Sequence, residues 1–519
     1  MKNFLKFVPD DKQKQFKIKK AEASPTISKD LNIKSSLKDN VKILSELLHY
    51  QKTNDVQYRF FDISISSKKY NAMIVYYDGL ADSNLISDYL IEQLLNIQYN
   101  SHLVIKPKDL KDIISRKIIA ESSVSFGNTF KSIVNNILHG DCALLVDSLD
   151  TAFICDVKKL PGRSISKSEN EMNLRGPSEA FVENFRSNTA LIRKFVKDEN
   201  LIFETIEVGT NSKTRCAIAY ISTITNDSIV NEVRRRISSL EIDYLIDSGQ
   251  LEQLIEDRTF LIDPVILNTE RPDKVASHLI EGRVAIVVEG SNNVLIVPAI
   301  YSDFTQSSED SYVRFPYSIL LRFFRLPATF FSIFLPGLYI AICDFHQEMI
   351  PSDLLFTIAG TREKVPFTML MELLIMEIAF EIIREASIRT PAPVGPTLGI
   401  VGTLILGQAI VSANIVSPVL VIIVALTGIS SFAVANYSLN YSYRILRFIY
   451  IFLGASMGFF RNCPWIIYSN NASFKYDIIW CSIFNTIYTI WCIFYCIYSI
   501  NSPTGLFKIS FIFQLIRHQ

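Results

Sequence analysis

The sequence predicts a soluble α/β N-terminal head of two subdomains, followed by an all-α, multi-span transmembrane domain. Three observations lead there. Charge is segregated: the chain carries 52 basic and 52 acidic residues, yet none falls between Thr390 and Tyr443. Short apolar runs bounded by turn residues alternate with helical spacing up to about residue 310, as layered strands and helices do. Beyond Phe315 the uncharged stretches approach the roughly 20 apolar residues that a span needs.

Residues 1–40 are rich in Lys, Ser, Asp and Asn and predict a flexible polar arm. The N-terminus has no apolar core of a signal peptide, so the head is expected on the cytoplasmic side. Subdomain 1 is expected over 41–200. In it Leu85–Ile97 has helical periodicity, and Ala143–Val146 and Ala152–Val157 form a hairpin about Asp147–Asp150. Pro177–Val196 reads as a helix with proline in its first turn. Subdomain 2, over 201–310, has strands at Leu201–Val208 and Ala217–Ile221. A helix follows at Ser228–Leu240 with Arg234, Arg235 and Arg236 on its wet side, then a hairpin of Val284–Val288 and Val294–Val297.

The helical domain is expected over 315–460. Leu326–Cys343, Gly399–Ile415 and Val419–Val434 are uncharged, and Phe448–Phe460 starts another apolar stretch. Arg314, Arg322 and Arg325 before the first span, with Arg384, Arg389, Arg444 and Arg447 later, fall on one side only if Phe367–Ile383 also crosses or re-enters. That segment carries Glu372, Glu377 and Glu381. Glu377, Glu381 and Glu385 share a helix face beside Arg384. They predict a cation path or an ion-pair hinge; an interfacial helix with its carboxylates in water is the alternative. Gly395, Gly399, Gly402 and Gly407 make a small-residue face for close helix contact. Gln408, Val411, Asn414 and Ser417 are candidate pore-lining positions.

Other chemistry is not signalled. The balanced charge gives no basic field for nucleic acid. No phosphate-binding loop, zinc-protease or nucleophile-elbow motif occurs, so no enzyme activity, cofactor or metal is expected. Cys142, Cys155 and Cys216 are scattered as reduced core or surface residues are, not as a disulfide frame. A secondary transporter would show a second copy of the 395–418 pattern, and none is present.

Several long motifs occur in a fixed order. They are RGPSEAFVENFRSNTALIR at Arg175–Arg193, ERPDK at Glu270–Lys274, EGRVAI at Glu281–Ile286, FHQEMIP at Phe345–Pro351 and EIIREASIRTP at Glu381–Pro391. GIVG at Gly399–Gly402, Gly407-Gln408 and VSP at Val416–Pro418 complete the set. From Asp141 to Phe459 the chain resembles the GerA family of spore germination receptors, in particular the A subunit. The stage V sporulation protein AF is a close relative in that family. The resemblance implies a multi-pass protein of the spore inner membrane that oligomerises and opens as a ligand-gated ion channel. It also implies two partners, a transporter-like, nutrient-binding B subunit and a lipoprotein C subunit. A membrane scaffold coupling the B subunit to a separate channel is the competing reading. After Phe459 the family pattern stops: residues 461–519 are an atypical apolar tail holding Trp465, Trp480, Trp491 and four of the eight cysteines. Translation out of frame and genuine divergence both produce such a tail.

Overall fold

The computed structural model describes residues 31–65, 68–95, 111, 114, 124–158, 171, 173, 175–257, 261–389 and 407–473. The chain forms two compact units: a head ending at Ser318, and a helical unit from Ile319 onward that also takes in Leu261–Pro264.

The head contains two five-stranded sheets, and every strand pairing in them is antiparallel. Helix α1 (Leu37–Leu47) precedes β1 (Val56–Ile65) and β2 (Lys68–Tyr77). A helical run of Ser83–Leu85, Ile86–Ile91 and Glu92–Leu95 follows, its middle part wound as a π-helix. Then come β3 (Val124–Gly127), α2 (Phe130–Leu138), β4 (Cys142–Val146) and β5 (Ala152–Cys155), and the sheet order is β1-β2-β4-β5-β3. The second half repeats this pattern. Helix α3 (Phe185–Phe195) precedes β6 (Leu201–Val208) and β7 (Thr214–Ile221); α4 (Asp227–Ser238) and α5 (Ser248–Ile255) follow. After them come β8 (Leu267–Thr269), α6 (Pro272–Ile280), β9 (Val284–Val288) and β10 (Val294–Val297), in the order β6-β7-β9-β10-β8. The α2-β4-β5 and α6-β9-β10 stretches have the same lengths and spacings, 142 residues apart. The head is therefore an internal duplication.

Both faces of the first sheet are covered. Leu144 and Val146 join one apolar cluster, while Ala143 and Leu145 join the other. That is why the strand reads CALLV without the alternation of a one-sided antiparallel sheet.

Three expected boundaries move. The polar arm does not extend to residue 40, because Ile33, Leu37 and Asn40 are buried. The helix expected at Pro177–Val196 starts only at Phe185: Asn184 is extended and its side chain accepts from the Ser187 N–H, a capping contact that fixes the start. Helix α3 packs on α6 and β9, so the second half starts before residue 201. Of the three arginines expected on the wet face of α4, only Arg235 is exposed. Arg234 forks onto Glu204 at 2.6 Å by both contacts. Arg236 reaches Glu232, Asp257 and the Ile255 carbonyl.

The helical unit contains most of α8 (Phe315–Phe345), then α9 (Ser352–Arg362), α10 (Met369–Arg389), α11 (Gly407–Ser412), α12 (Pro418–Phe432) and α13 (Tyr437–Ser473). Among the described residues, only α8 is long and apolar enough to cross a membrane; α12 is a shorter apolar helix. With 31 residues α8 is roughly 46 Å long, well beyond a hydrocarbon core of about 30 Å. The 15 residues of α12 reach only about 22 Å. Helix α13 is broken at Gly458, whose φ is +64°. The multi-span expectation thus has one qualifying helix among the described residues.

Candidate functional site

Arg193 is the centre of the head. It is buried on α3, and its Nε donates to Asp55 while Nη2 donates to the Leu201 carbonyl at 2.9 Å. Its guanidinium lies 4.0 Å from the ring centroid of Tyr77 and 5.3 Å from that of Phe203. The Thr53 hydroxyl also donates to Asp55 and accepts from the Phe203 N–H at 3.3 Å. One buried ion pair therefore ties the start of β1 to β6. Burial raises the Tyr77 hydroxyl to about 12, which keeps it neutral beside Arg193.

A second cluster gathers two of the motifs. Arg271 donates to both carboxylate oxygens of Asp273, at 3.1 and 2.7 Å, and to the carbonyls of Pro177 at 3.0 Å and Glu171 at 3.3 Å. Lys274 pairs with Glu171 at 2.9 Å, and the Phe181 N–H donates to the Glu270 carbonyl at 2.8 Å. The Tyr312 hydroxyl donates to Asp273. At Gly176, with φ +119°, a Cβ would lie 2.8 Å from the Tyr312 ring, so only glycine fits. The RGPSEAF and ERPDK motifs thus build one buried junction. Sequence spacing gave no sign of it, because its partners lie up to 103 residues apart.

Cys142, Cys155 and Cys216 of the head are free and buried. Burial raises the Cys216 thiol to about 12. Cys142 is raised too, first by its hydrogen bond with the facing Cys155 and then by burial.

The helical unit holds the charged residues singled out in the sequence. Glu377 on α10 is fully buried and accepts from Arg447 Nη1 at 2.9 Å. Arg447 on α13 is also buried, and its Nε donates to the Ser332 carbonyl of α8 at 2.8 Å. Glu381 pairs with Arg444 and lies 3.5 Å from Arg384 and 3.8 Å from Arg447. Arg384 donates to the Ser431 hydroxyl at 2.7 Å. Glu385 is half exposed and pairs with Arg389 at 2.7 Å. Buried Glu377 does not sit in water as the interfacial alternative required. Nor are Arg384 and Arg447 free surface charges marking one membrane side; they are the partners of these carboxylates.

Glu372 makes a separate contact. It is fully buried, lies 3.6 Å from Arg362 and accepts from the Ser417 N–H at 3.1 Å. Ser417 is the residue before α12, so a carboxylate on α10 holds the first turn of α12.

The remaining candidates are spread differently. Gln408 and Asn414 are exposed, Val411 is half-buried and Ser417 is buried. Asn414 has φ +52° and follows the end of α11. Gly407 has nothing within 4 Å of a built Cβ among the described residues, and Gly395, Gly399 and Gly402 lie outside them. The tight helix contacts fall elsewhere. A Cβ on Gly337 of α8 would lie 2.5 Å from the Tyr450 carbonyl of α13, and one on Gly454 would overlap the Gly337 carbonyl. One on Gly428 would lie 2.5 Å from the Phe380 ring. Isolated glycines in three helices gave no four-residue repeat by which to find them.

The described residues thus combine a head of two like antiparallel sheets with a helical unit that buries ion pairs and has one helix long and apolar enough to cross a membrane. Comparison with known proteins gives the family. A family model described as "Bacillus/Clostridium GerA spore germination protein" matches residues 42–468, and the chain belongs to this family. The match takes in the first half of the head and runs past Phe459. The chain is 40% identical to spore germination protein KA of Bacillus subtilis (strain 168) over 389 residues, 75% of this chain and 70% of that protein. It is 37% identical to spore germination protein GerLA of Bacillus cereus, over 78% of this chain and 81% of that protein. It is 38% identical to spore germination protein A1 of Bacillus subtilis (strain 168), covering 74% and 78%. Among solved structures, a similar one is the N-terminal domain of the A subunit of the Bacillus megaterium spore germinant receptor GerK3. That match has 32% identity, covers 52% of this chain and 98% of that one, and has a TM-score of 0.42.

Proposed function

We propose that this chain is the A subunit of a nutrient-responsive germination receptor and forms its cation-conducting ring, as a multi-pass protein of the spore inner membrane. The observation that carries the reading is the segment around α11. Gln408 and Asn414 are exposed polar side chains in a stretch with no charged residue from Thr390 to Tyr443. A polar face in apolar surroundings needs water or another protein surface. A ring of copies with this segment at its axis supplies both, with Val411 as the constriction and Ser417 at the inner end of the path. The neutral amide groups of Gln408 and Asn414 replace part of an ion's hydration. Gly395, Gly399 and Gly402 give the close approach between copies. Glu377 and Glu381 act next to the path by fixing Arg447 and Arg444.

The head lies on the spore-core side in this reading. A transporter-like B subunit takes the nutrient, and a lipoprotein C subunit completes the receptor. Nutrient binding shifts the ring between closed and open states through its differential affinity for them. The test is cation release from spores carrying Val411→Ala or Gln408→Ala. Release without nutrient, at normal receptor abundance, is the expected outcome. Wild-type release from both variants, with and without nutrient, overturns the axial assignment and leaves the scaffold reading.

A further inference from the structure

Helix α8 runs through Pro336 without a break in its helical course. Proline has no amide hydrogen, so the carbonyl four residues earlier loses its donor within the helix. That carbonyl belongs to Ser332, which is fully buried. In apolar surroundings an unpaired carbonyl is costly, and a proline helix persists there when a neighbour supplies the donor. Here the donor is Arg447 Nε, at 2.8 Å from the Ser332 oxygen. Its Nη1 is held at 2.9 Å by Glu377, itself fully buried. One guanidinium therefore joins three helices at one of the two points, Pro327 and Pro336, where an interior proline removes a hydrogen bond from α8. One turn further along, Gly337 lets the α8 backbone meet that of α13 at Tyr450 and Gly454. The Phe334 ring packs 4.5 Å from that of Tyr450. The same two helices are thus registered on both sides of Pro336.

We propose that Arg447 is a hinge clamp on α8: it supplies the hydrogen bond that Pro336 removes, and the Glu377 carboxylate holds it in place. With the clamp made, α8 is fixed against α10 and α13. With it released, Pro336 becomes the point at which α8 bends, the ordinary behaviour of an interior proline. As the regulation of a conducting subunit, this rests on the function proposed above; as a property of α8 it does not. The residue type is part of the inference. Lysine keeps one charge for Glu377 but has no second N–H edge for the carbonyl.

The test uses Arg447→Lys alone and combined with Pro336→Ala, which restores an amide hydrogen to pair with Ser332 inside the helix. The full chain is expressed in spores with its receptor partners, solubilised, and followed by amide hydrogen exchange over α8. Arg447→Lys is expected to speed exchange around Pro336 by about tenfold or more, and the double variant to return within about twofold of wild type. Wild-type exchange in Arg447→Lys, or equally fast exchange in the double variant, overturns the clamp. If Arg447→Lys does not accumulate, abundance becomes the readout: recovery in the double variant supports the clamp and its failure overturns it. Nutrient-triggered cation release is measured on the same spores. Exchange that follows the prediction while release stays at the wild-type rate leaves the clamp standing and counts against the conducting role.

Discussion

The two halves of the head share one strand order and one spacing, yet they differ in where they place their buried charge. Among its described residues the first half has no buried arginine of its own. Its Asp55 instead receives Arg193 from the second half, across the junction of the two. The second half keeps Arg271 for itself, pinned to Asp273 two residues away and to the 171–177 segment. Duplication therefore preserved the packing frame while the polar contacts went separate ways. The apolar positions must fill the same volume in both copies, whereas each buried ion needs only one good partner, wherever that partner lies.

The largest expected effect separates the two hubs. Arg193→Met leaves Asp55 buried without its cation and should cost about 3–5 kcal/mol. Because Arg193 joins the halves, urea unfolding of the head should also split into two transitions. Arg271→Met should cost a similar amount but keep one transition, since its contacts lie outside the first half. A single transition in Arg193→Met would show that the halves cooperate through other contacts.

The frame was legible in the sequence because strands such as Cys142–Val146 and Val284–Val288 are continuous apolar runs closed by turn residues. The duplication was not, because it conserves the apolar pattern with few identical residues: Val284 and Val297 stand where Cys142 and Cys155 do. The charged site was half legible. Helical spacing placed Glu377 and Glu381 on one face, but their cations come from Arg444 and Arg447, more than 60 residues away. Pairing at that distance is a property of the fold and leaves no periodicity. The role of Pro336 needed the structure for the same reason: a freed carbonyl can be inferred from a proline, but its donor cannot.

An intermediate effect tests whether the repeat is one of backbone as well as topology. Gly140 and Gly282 occupy equivalent turns before β4 and β9, with φ of +96° and +85°. At Gly140 a Cβ would lie 3.0 Å from the Leu80 carbonyl, and at Gly282 3.2 Å from the Ile224 carbonyl. Alanine at either position should cost roughly 1–3 kcal/mol, from left-handed strain and crowding together. Equal losses in urea unfolding would show that the two turns are under the same constraint. A neutral Gly282→Ala would show that the second copy has relaxed.

The smallest effect concerns the residue just after each of these glycines. In the first half it is Asp141, which pairs with Lys158 at 3.0 Å. In the second it is Arg283, which pairs with Asp303 beyond β10. The contact is kept and its sign is reversed. Each pair joins the start of the fourth strand to the chain just past the fifth, so what the frame requires is attraction between these two places. Either polarity meets that requirement if the side chains reach. Burial raises the Asp141 carboxyl above its usual range while Lys158 pulls the other way, so a carboxylate is not specially favoured there. Reversing one partner alone, Asp141→Lys, puts two ammonium groups together and should cost about 1–2 kcal/mol. Reversing both, Asp141→Lys with Lys158→Asp, should recover to within about 0.5 kcal/mol of wild type, since the pair is partly exposed and worth little in itself. A double variant as weak as the single one would show that the first half has fitted its surroundings to an acid at 141, and that the reversal of sign in the second half required further changes around Arg283.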